Sequence, residues 1–334
     1  MITDYLEILI PSLMSGLSTF FLVKWWIPKA LRLGFKGKDM NKYDRPEVSE
    51  AGGIWVVLSA SIGILGYITI ESVLDRDAGI IQYLSMTQVL LLSGILGFID
   101  DLLGWKKGIS PLARVLFTFP IALPLMAVKA GFSTIEIPVI GVADLGLIYP
   151  LLIVPLGIVG ASNAFNMIAG YNGLETLQGI TLLSFTCLFL LKKGSYQLIP
   201  VVIPVLASLA AFYYFNKYPA KVLPGNSLTY GIGAFYASLV IYGNFERFGL
   251  FLFIPYFGEL LLFLRGLKNN VYKENFGIPD ELNHLQPPYP KSYSITHLAI
   301  KILIKIRGHA SEKGVVYTIL LVQVIVGTLG LCVF

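Results

Sequence analysis

The sequence predicts an all-α integral membrane protein of about ten transmembrane helices, with both termini outside and a small β-hairpin on the outer side. Three observations predict it. Of 334 residues, 55% are hydrophobic and only 13% are charged, where an ordinary soluble domain carries about 25% charged residues. Apolar windows of about 20 residues, the length that spans a hydrocarbon core about 30 Å thick, recur along the chain. Lys and Arg fall mostly on one side of those windows. No polar linker separates the halves, so 1–334 reads as a single polytopic domain. This composition excludes most soluble enzymes, disordered chains and disulfide scaffolds. Cys187 and Cys332 both fall in apolar runs, and no CxxC or Cys/His zinc spacing exists.

The windows lie near 5–28, 54–74, 80–99, 112–128, 147–168, 173–191, 197–215, 227–243, 248–265 and 315–334. The first has no Lys or Arg before it and no small-residue cleavage site after it, so it reads as a retained helix rather than a signal peptide. Of 25 Lys and Arg, only Arg76, Lys129, Lys192, Lys193 and Arg247 belong to the even loops. The positive-inside rule therefore places the odd loops in the cytoplasm. Between Lys129 and Gly146, the alternating segment STIEIPVI (Ser133–Ile140) suits the outer hairpin. The ninth loop, 266–314, is the long one, irregular around Pro279, Pro287, Pro288 and Pro290. It ends in SITHLAIKILIKIRGH, where His297, Lys301, Lys305 and His309 recur every four residues. That pattern suits a helix lying in the membrane interface; the competing reading of IKILIKI as a strand would leave its backbone unpaired beside lipid.

Polar residues gather in five stretches, all in odd loops or the helix ends feeding them: KDMNKYDRPEVSEAGG (38–53), GFIDDLLGWKKGISP (97–111), NAFNMIAGYNGLE (163–175), PAKVLPGNS (219–227) and the ninth loop. A transporter or flippase, the rival class, is expected to place polar groups near the midplane in repeated halves. One-sided clustering favours an active site open to the cytoplasm and the inner leaflet. Asp100 and Asp101 end an apolar helix, where adjacent carboxylates need a positive partner. A Mg²⁺ site typically uses one or two carboxylates with substrate phosphates, and Lys106 and Lys107 follow within two turns. A solvated helix end with an ion pair is the plain alternative. Asn163, Asn166 and Asn172 offer amide oxygens to a hard cation or amide edges to a base, or bond a neighbouring helix. Glycines here admit close ligand approach, and Glu175 closes the stretch. Glu259 sits about six residues inside the ninth window, either a functional acid or one paired with a cytoplasmic Lys or Arg. His284, His297 and His309 lack ligand spacing and read as solvated loop or interface positions. No feature calls for a nucleic-acid partner.

Taken in order, these motifs resemble the polyprenyl-phosphate N-acetylhexosamine-1-phosphate transferases, and most of all the branch containing the UDP-GlcNAc–dolichyl-phosphate GlcNAc-1-phosphate transferase, whose archaeal homologues are expected to look like this. NAFNMIAGYNGLE is the most specific match; the resemblance runs from about Asp39 to Glu259. It implies the first membrane step of lipid-linked glycan assembly for protein glycosylation: a UDP-sugar, polyprenyl (dolichyl-type) phosphate and membrane lipid as partners, Mg²⁺ (or Mn²⁺) as cofactor, a homodimer as a common state, and a multi-pass protein of the plasma membrane working on the cytoplasmic face. It implies catalytic roles for Asp100, Asp101 and Lys107, and metal ligation by Asn166, Asn226 and Asp101. It implies substrate contacts from Asn41, Lys42, Glu47, Asn163, Gly170, Asn172, Glu175 and Glu259, with His284 a candidate in the ninth loop beside Arg265, Lys268 and Lys291.

Two departures stand out. The family has Gly-Asp where this chain has Gly225–Asn226, so either metal binding is weakened, Asp100 or Asp101 compensates, or the homologue is inactive. The ninth loop offers NHLQPPYP in place of the family's His-Arg-x-Pro-Arg or histidine cluster, which leaves the sugar open.

Overall fold

The computed structural model describes residues 2–76, 79–104, 110–131, 133–137 and 141–334. It is a bundle of helices with three small antiparallel hairpins. In chain order these are α1 (Ile2–Leu33), β1 (Lys36–Lys38), β2 (Glu47–Ser49), α2 (Gly53–Val73), α3 (Ile80–Leu103), α4 (Pro111–Thr118) and α5 (Leu123–Ala127). Then follow β3 (Thr134–Ile137), β4 (Gly141–Asp144), α6 (Val154–Met167), α7 (Leu174–Lys193), α8 (Ile199–Asn216), α9 (Gly225–Gly243), α10 (Glu246–Leu252) and α11 (Ile254–Lys268). The ninth loop carries β5 (Ile278–Pro279), β6 (Leu285–Gln286) and α12 (Ile295–Arg307), and α13 (Glu312–Val333) ends the chain.

Among the described residues, seven helices are long and apolar enough to cross a membrane: Leu6–Leu33, Gly53–Val73, Ile80–Leu103, Tyr149–Met167, Leu174–Lys193, Tyr196–Asn216 and Glu312–Val333. An eighth exists if α10 and α11, bent by 56°, form one broken span. Each of the ten expected windows falls on helix, but two fall on helices outside this set. The 112–128 window is a shorter apolar stretch, Ala113–Ala127, interrupted by Pro120 and Pro124. The 227–243 window is α9, which carries Ser, Thr, Tyr and Gly yet is buried along Ser227–Ile241. It packs against α3, α6 and α2. A helix whose neighbours are protein need not be apolar enough for lipid.

Small residues bring these helices close, as is usual where lipid supplies no hydrophobic drive for helix association. A Cβ on Gly233 of α9 would lie 2.6 Å from the Ala161 carbonyl of α6. Ser15 of α1 donates to the Pro204 carbonyl of α8 at 2.7 Å and bonds Ser208 at 2.6 Å.

Of the expected 133–140 hairpin, 134–137 is strand β3, which pairs with β4 from Thr134↔Asp144 to Ile137↔Gly141, and 138–140 lie outside the described residues. The first loop also closes as a hairpin, β1–β2, with Lys36↔Ser49 to Lys38↔Glu47. α12 is a helix, as expected, but its His297 face corrects the reading. His297 is fully buried, because α12 packs on α11 and α13. Gly308, at φ +79°, ends the helix, so His309 lies beyond it. Burial, together with the charges of Lys273 and Lys301, lowers the His297 pKa to about 4. The ring is held by the Glu274 carbonyl at Nε2 and the Tyr293 N–H at Nδ1.

The bundle has two polar ends. One is tied by Arg76–Glu7 (2.8 Å), Tyr83 to the Gln197 carbonyl (2.6 Å) and Tyr149–Glu246 (2.7 Å). The other holds the ends of α1, α3, α6, α8 and α11 and the starts of α2, α7, α9 and α13, and the described parts of the five polar stretches meet there.

Candidate active site

Loop-to-loop backbone bonds assemble the site. Ser49 and Val222 form a parallel bridge. Leu223 N–H donates to the Ser49 carbonyl (2.7 Å), Gly52 N–H to the Leu223 carbonyl (3.0 Å) and Gly53 N–H to the Pro224 carbonyl (2.8 Å). The first loop and the PAKVLPGNS stretch are thus one unit at the start of α9.

The first N–H groups of a helix lack partners within it and carry partial positive charge. Here Asp101, from the last turn of α3, supplies the acceptor. Its Oδ1 accepts from Asn226 N–H at 2.7 Å, and its Oδ2 from Ser227 N–H and the Ser227 hydroxyl, each at 3.2 Å. Gly225 has φ +68°, and a Cβ there would lie 2.3 Å from Asp101 Oδ2. Gly97, one turn earlier on α3, would likewise meet the Asn226 carbonyl at 2.3 Å. Both glycines let α3 close on the end of α9.

Asp100 is 2% exposed. It accepts from Asn226 Nδ2 at 2.9 Å and pairs with Arg114 Nη2 at 3.1 Å. The Thr229 hydroxyl lies between Asn166 Oδ1 (2.9 Å) and the Asn226 carbonyl (3.2 Å). Asp100, Asp101, Asn166 and Asn226, taken from α3, α6 and α9, therefore form one connected set. Its donors are carboxylate and amide oxygens, the kind that a hard divalent cation takes together with phosphate oxygens. Asn226 spends its amide N–H on Asp100 and keeps its carbonyl oxygen. Among the described residues no group of three or more His, Cys, Asp or Glu has metal-binding geometry, so a cation here would lean on the amides and on substrate. Lys106 and Lys107 lie outside the described residues.

A second network stands beside the first. Lys42 Nζ donates to Asp39 (2.6 Å), Glu312 (2.7 Å) and Asn172 Oδ1 (3.2 Å). Burial pulls the Lys42 pKa down, but the Glu312 and Asp39 carboxylates outweigh it and hold the ammonium above the ordinary lysine value. Asn172 N–H donates to Glu312 (2.7 Å), and Ala220 N–H to Asn172 Oδ1 (2.8 Å). Asn41 donates to the Gly170 carbonyl (2.7 Å) and accepts from Gly277 N–H (3.1 Å). Gly170, at φ +109°, donates its N–H to Glu175 at 2.7 Å. A cavity of about 260 Å³ opens beside this network, lined by Asn41, Tyr218, His284, His309, Glu312 and Lys313 among others.

Other expected positions fall elsewhere. Glu47 is the exposed residue of β2, paired with Lys36 at 2.6 Å, while Val48 and Ser49 are buried. Asn163 donates to Val159 of its own helix at 2.8 Å. Glu259 is fully buried, paired with Lys273 and accepting from the Ser294 hydroxyl (3.0 Å) and Ile295 N–H (2.7 Å). This is the paired alternative for that acid: it anchors the start of α12. His284 lies against His309, ring centroids 4.7 Å apart.

Several site residues carry no local motif, among them Glu312, which bonds Lys42 and Asn172, and Thr229, which bonds Asn166. In the sequence Arg114 is one more basic residue of the odd loops. Glu50 stands near enough to Asp101 for their charges to repel, and burial raises its own pKa. Asn275 donates to the Met167 and Ala169 carbonyls at 3.0 and 2.9 Å, bracing the turn after Asn166. Glu50 belongs to the polar stretch 38–53 and is legible there, whereas Arg114 and Asn275 join the site only through tertiary contacts.

A glycosyl transferase family 4 model matches residues 83–244. A Saccharolobus solfataricus protein, provisionally named a UDP-N-acetylglucosamine–dolichyl-phosphate N-acetylglucosaminephosphotransferase, is 33% identical over 89% of each chain. A Dictyostelium discoideum protein with the same name, given without qualification, is 25% identical over 95% of this chain and 84% of its own. A phospho-N-acetylmuramoyl-pentapeptide-transferase of Petrotoga mobilis is 29% identical over 66% of this chain and 69% of its own.

Proposed function

The chain belongs to glycosyl transferase family 4, and on that premise we propose that it transfers N-acetylglucosamine-1-phosphate from UDP-N-acetylglucosamine to a dolichyl-type polyprenyl phosphate, releasing UMP. The observation that carries this reading is the meeting of Asp100, Asp101, Asn166 and Asn226 around the first turn of α9.

A lipid monophosphate has a second pKa near 6, so near neutral pH it is mostly dianionic and already nucleophilic. Phosphoryl transfer is then chiefly positioning and charge neutralisation. An oxygen of the lipid phosphate forms a bond to the sugar-linked phosphorus while the bond from that phosphorus to the UMP oxygen breaks. Asp100 positions the incoming lipid phosphate. Asp101 caps the start of α9 and so fixes Asn226 beside Asp100 and Asn166. Asn172, Asn41 and Gly170 form the nucleotide side of the cleft, and Lys107 offsets phosphate charge. Asn166, Asn226 and Asp101 are the residues that would hold Mg²⁺, or Mn²⁺ in its place; when bound, the ion draws charge off the diphosphate. The site works on the cytoplasmic face of the plasma membrane, the side assigned by the Lys and Arg asymmetry.

The test is UMP release by the purified protein from UDP-N-acetylglucosamine and dolichyl phosphate, with other UDP-sugars and EDTA in parallel arms. Release that needs both substrates and stops with EDTA is expected. No release from any UDP-sugar overturns the proposal.

A further inference from the structure

We propose that the end of the bundle opposite the candidate active site carries a second binding pocket, which takes a primary ammonium ion borne on a short hydrocarbon chain. A cavity of about 510 Å³ lies there, within the size range of small-molecule sites. Residues of α1, α2, α3, α8 and α9 line it. None of its lining residues belongs to the five polar stretches that build the active site.

The charges of this pocket do not balance. Among the described residues its lining holds two carboxylates, Glu7 and Glu71, and one cation, Arg76. Arg76 Nη1 donates to Glu7 Oε2 at 2.8 Å and stands 3.6 Å from Glu71 Oε1, too far for a hydrogen bond. Glu71 is 3% exposed, yet among the described residues its carboxylate accepts no hydrogen bond. A buried carboxylate without a full partner is costly. One guanidinium does not neutralise two acids, so one negative charge in the lining is left for a ligand cation to meet.

The rest of the lining says which cation. Tyr67, Tyr83, Tyr196 and Tyr242 face the cavity, and the Tyr67 and Tyr83 ring centroids are 6.0 Å apart. Aromatic faces attract a cation and cover the methylenes beside it. Tyr83 gives its hydroxyl proton to the Gln197 carbonyl at 2.6 Å, so its oxygen is left as an acceptor. Carboxylate and phenol acceptors call for N–H donors, and a primary ammonium brings three on one compact charge. A quaternary ammonium brings none. An alkali ion leaves the ring-lined volume unfilled, and a lipid tail fills it without meeting the charge. Tyr196, 61% exposed, marks the open side, so the ammonium can arrive on a soluble amine or on the headgroup of an aminophospholipid.

The test uses the full chain in nanodiscs of phosphatidylcholine, which carries no primary amine. Putrescine is titrated calorimetrically against the wild type, Glu71→Gln and Glu7→Gln, with tetramethylammonium and K⁺ as comparison ions. A second set of nanodiscs contains added phosphatidylethanolamine, and melting temperature is read. For a soluble amine, saturable putrescine binding is expected, weakened about tenfold or more by Glu71→Gln, as for loss of a charge-assisted hydrogen bond. For a headgroup, phosphatidylethanolamine raises the wild-type melting temperature and Glu71→Gln abolishes the rise. Neither effect in the wild type, a comparison ion that binds as tightly as putrescine, or a Glu71→Gln variant that responds as the wild type does each overturn the site. If Glu71→Gln does not fold, Glu7→Gln supplies the comparison, because it lets the Arg76 guanidinium turn to Glu71 and should weaken binding in the same way. These readouts are of binding alone, so a protein that binds amine here but releases no UMP would sink the proposed activity and leave this pocket standing.

Discussion

Asp101 Oδ1 accepts the backbone N–H of Asn226 at 2.7 Å, so a carboxylate on α3 closes the open end of α9. Asp101→Asn is therefore expected to do more than remove charge. One oxygen becomes an NH₂ group facing N–H donors, and a buried donor left unsatisfied costs about 1–3 kcal/mol. Turnover should be lost and the melting temperature should fall in thermal unfolding. Asp100→Asn should lose turnover with a smaller thermal shift. An equal melting temperature for Asp101→Asn and wild type would refute the capping role.

Asn226→Asp is the informative substitution at the departure from the family pattern. Asn226 Nδ2 donates to Asp100 at 2.9 Å, so an aspartate there sets two carboxylates in contact. Stability should fall in EDTA and recover with millimolar Mg²⁺ by more than in the wild type, as binding to the folded state requires. Melting curves with and without Mg²⁺ check this; a shift no larger than the wild-type one would place the side chain away from the ion.

Asn166→Ala should reduce UMP release by about 100-fold or more, the scale for losing a charge-stabilising group. Thr229→Val, which removes the hydroxyl holding Asn166 Oδ1 at 2.9 Å, should lower the rate to a lesser extent. Steady-state rates of the two variants, measured together, read out the order; a rate for Asn166→Ala near that of the wild type would remove the residue from the site.

Lys42→Met should be among the most destabilising single changes at this end of the protein. It leaves Asp39 and Glu312 buried without their shared cation, and breaking a buried pair costs about 3–5 kcal/mol. Lys42→Arg should recover part of it. Folded yield and melting temperature measure the effect, and a variant as stable as the wild type would contradict the network.

His297 is expected to set an acid limit on stability. Its folded pKa, about 4, is below the ordinary 6.5, so the unfolded chain takes up the proton first. The contribution is present above about pH 6.5 and is lost as pH falls toward 4. His297→Gln, which can keep both hydrogen bonds, should flatten that part of the melting-temperature profile. An unchanged slope would assign the acid sensitivity to other groups.

Of the ten apolar windows, all fall on helix because a hydrophobic run of that length is a local property. The 133–140 hairpin was legible in its alternation. α9 shows the limit: its place at the centre depends on which neighbours surround it. Glu259 shows another. An acid inside an apolar run is readable, but its pairing with Lys273 and the start of α12 joins residues 14 and 36 positions apart. The four-residue spacing of His297 predicts an interfacial position, and packing of α12 on α11 and α13 buries it instead.

By itself the sequence determined the membrane class, the gathering of the polar motifs at one end and the residue types at the site, because hydropathy, charge asymmetry and short motifs are written in consecutive residues. Only the tertiary structure decided how those residues are used. Asp101 spends its oxygens on a helix end, Asp100 pairs with Arg114, and Lys42 serves two carboxylates from opposite ends of the chain. Such pairings are set by packing across hundreds of residues, and no local pattern encodes which buried charge will meet which partner.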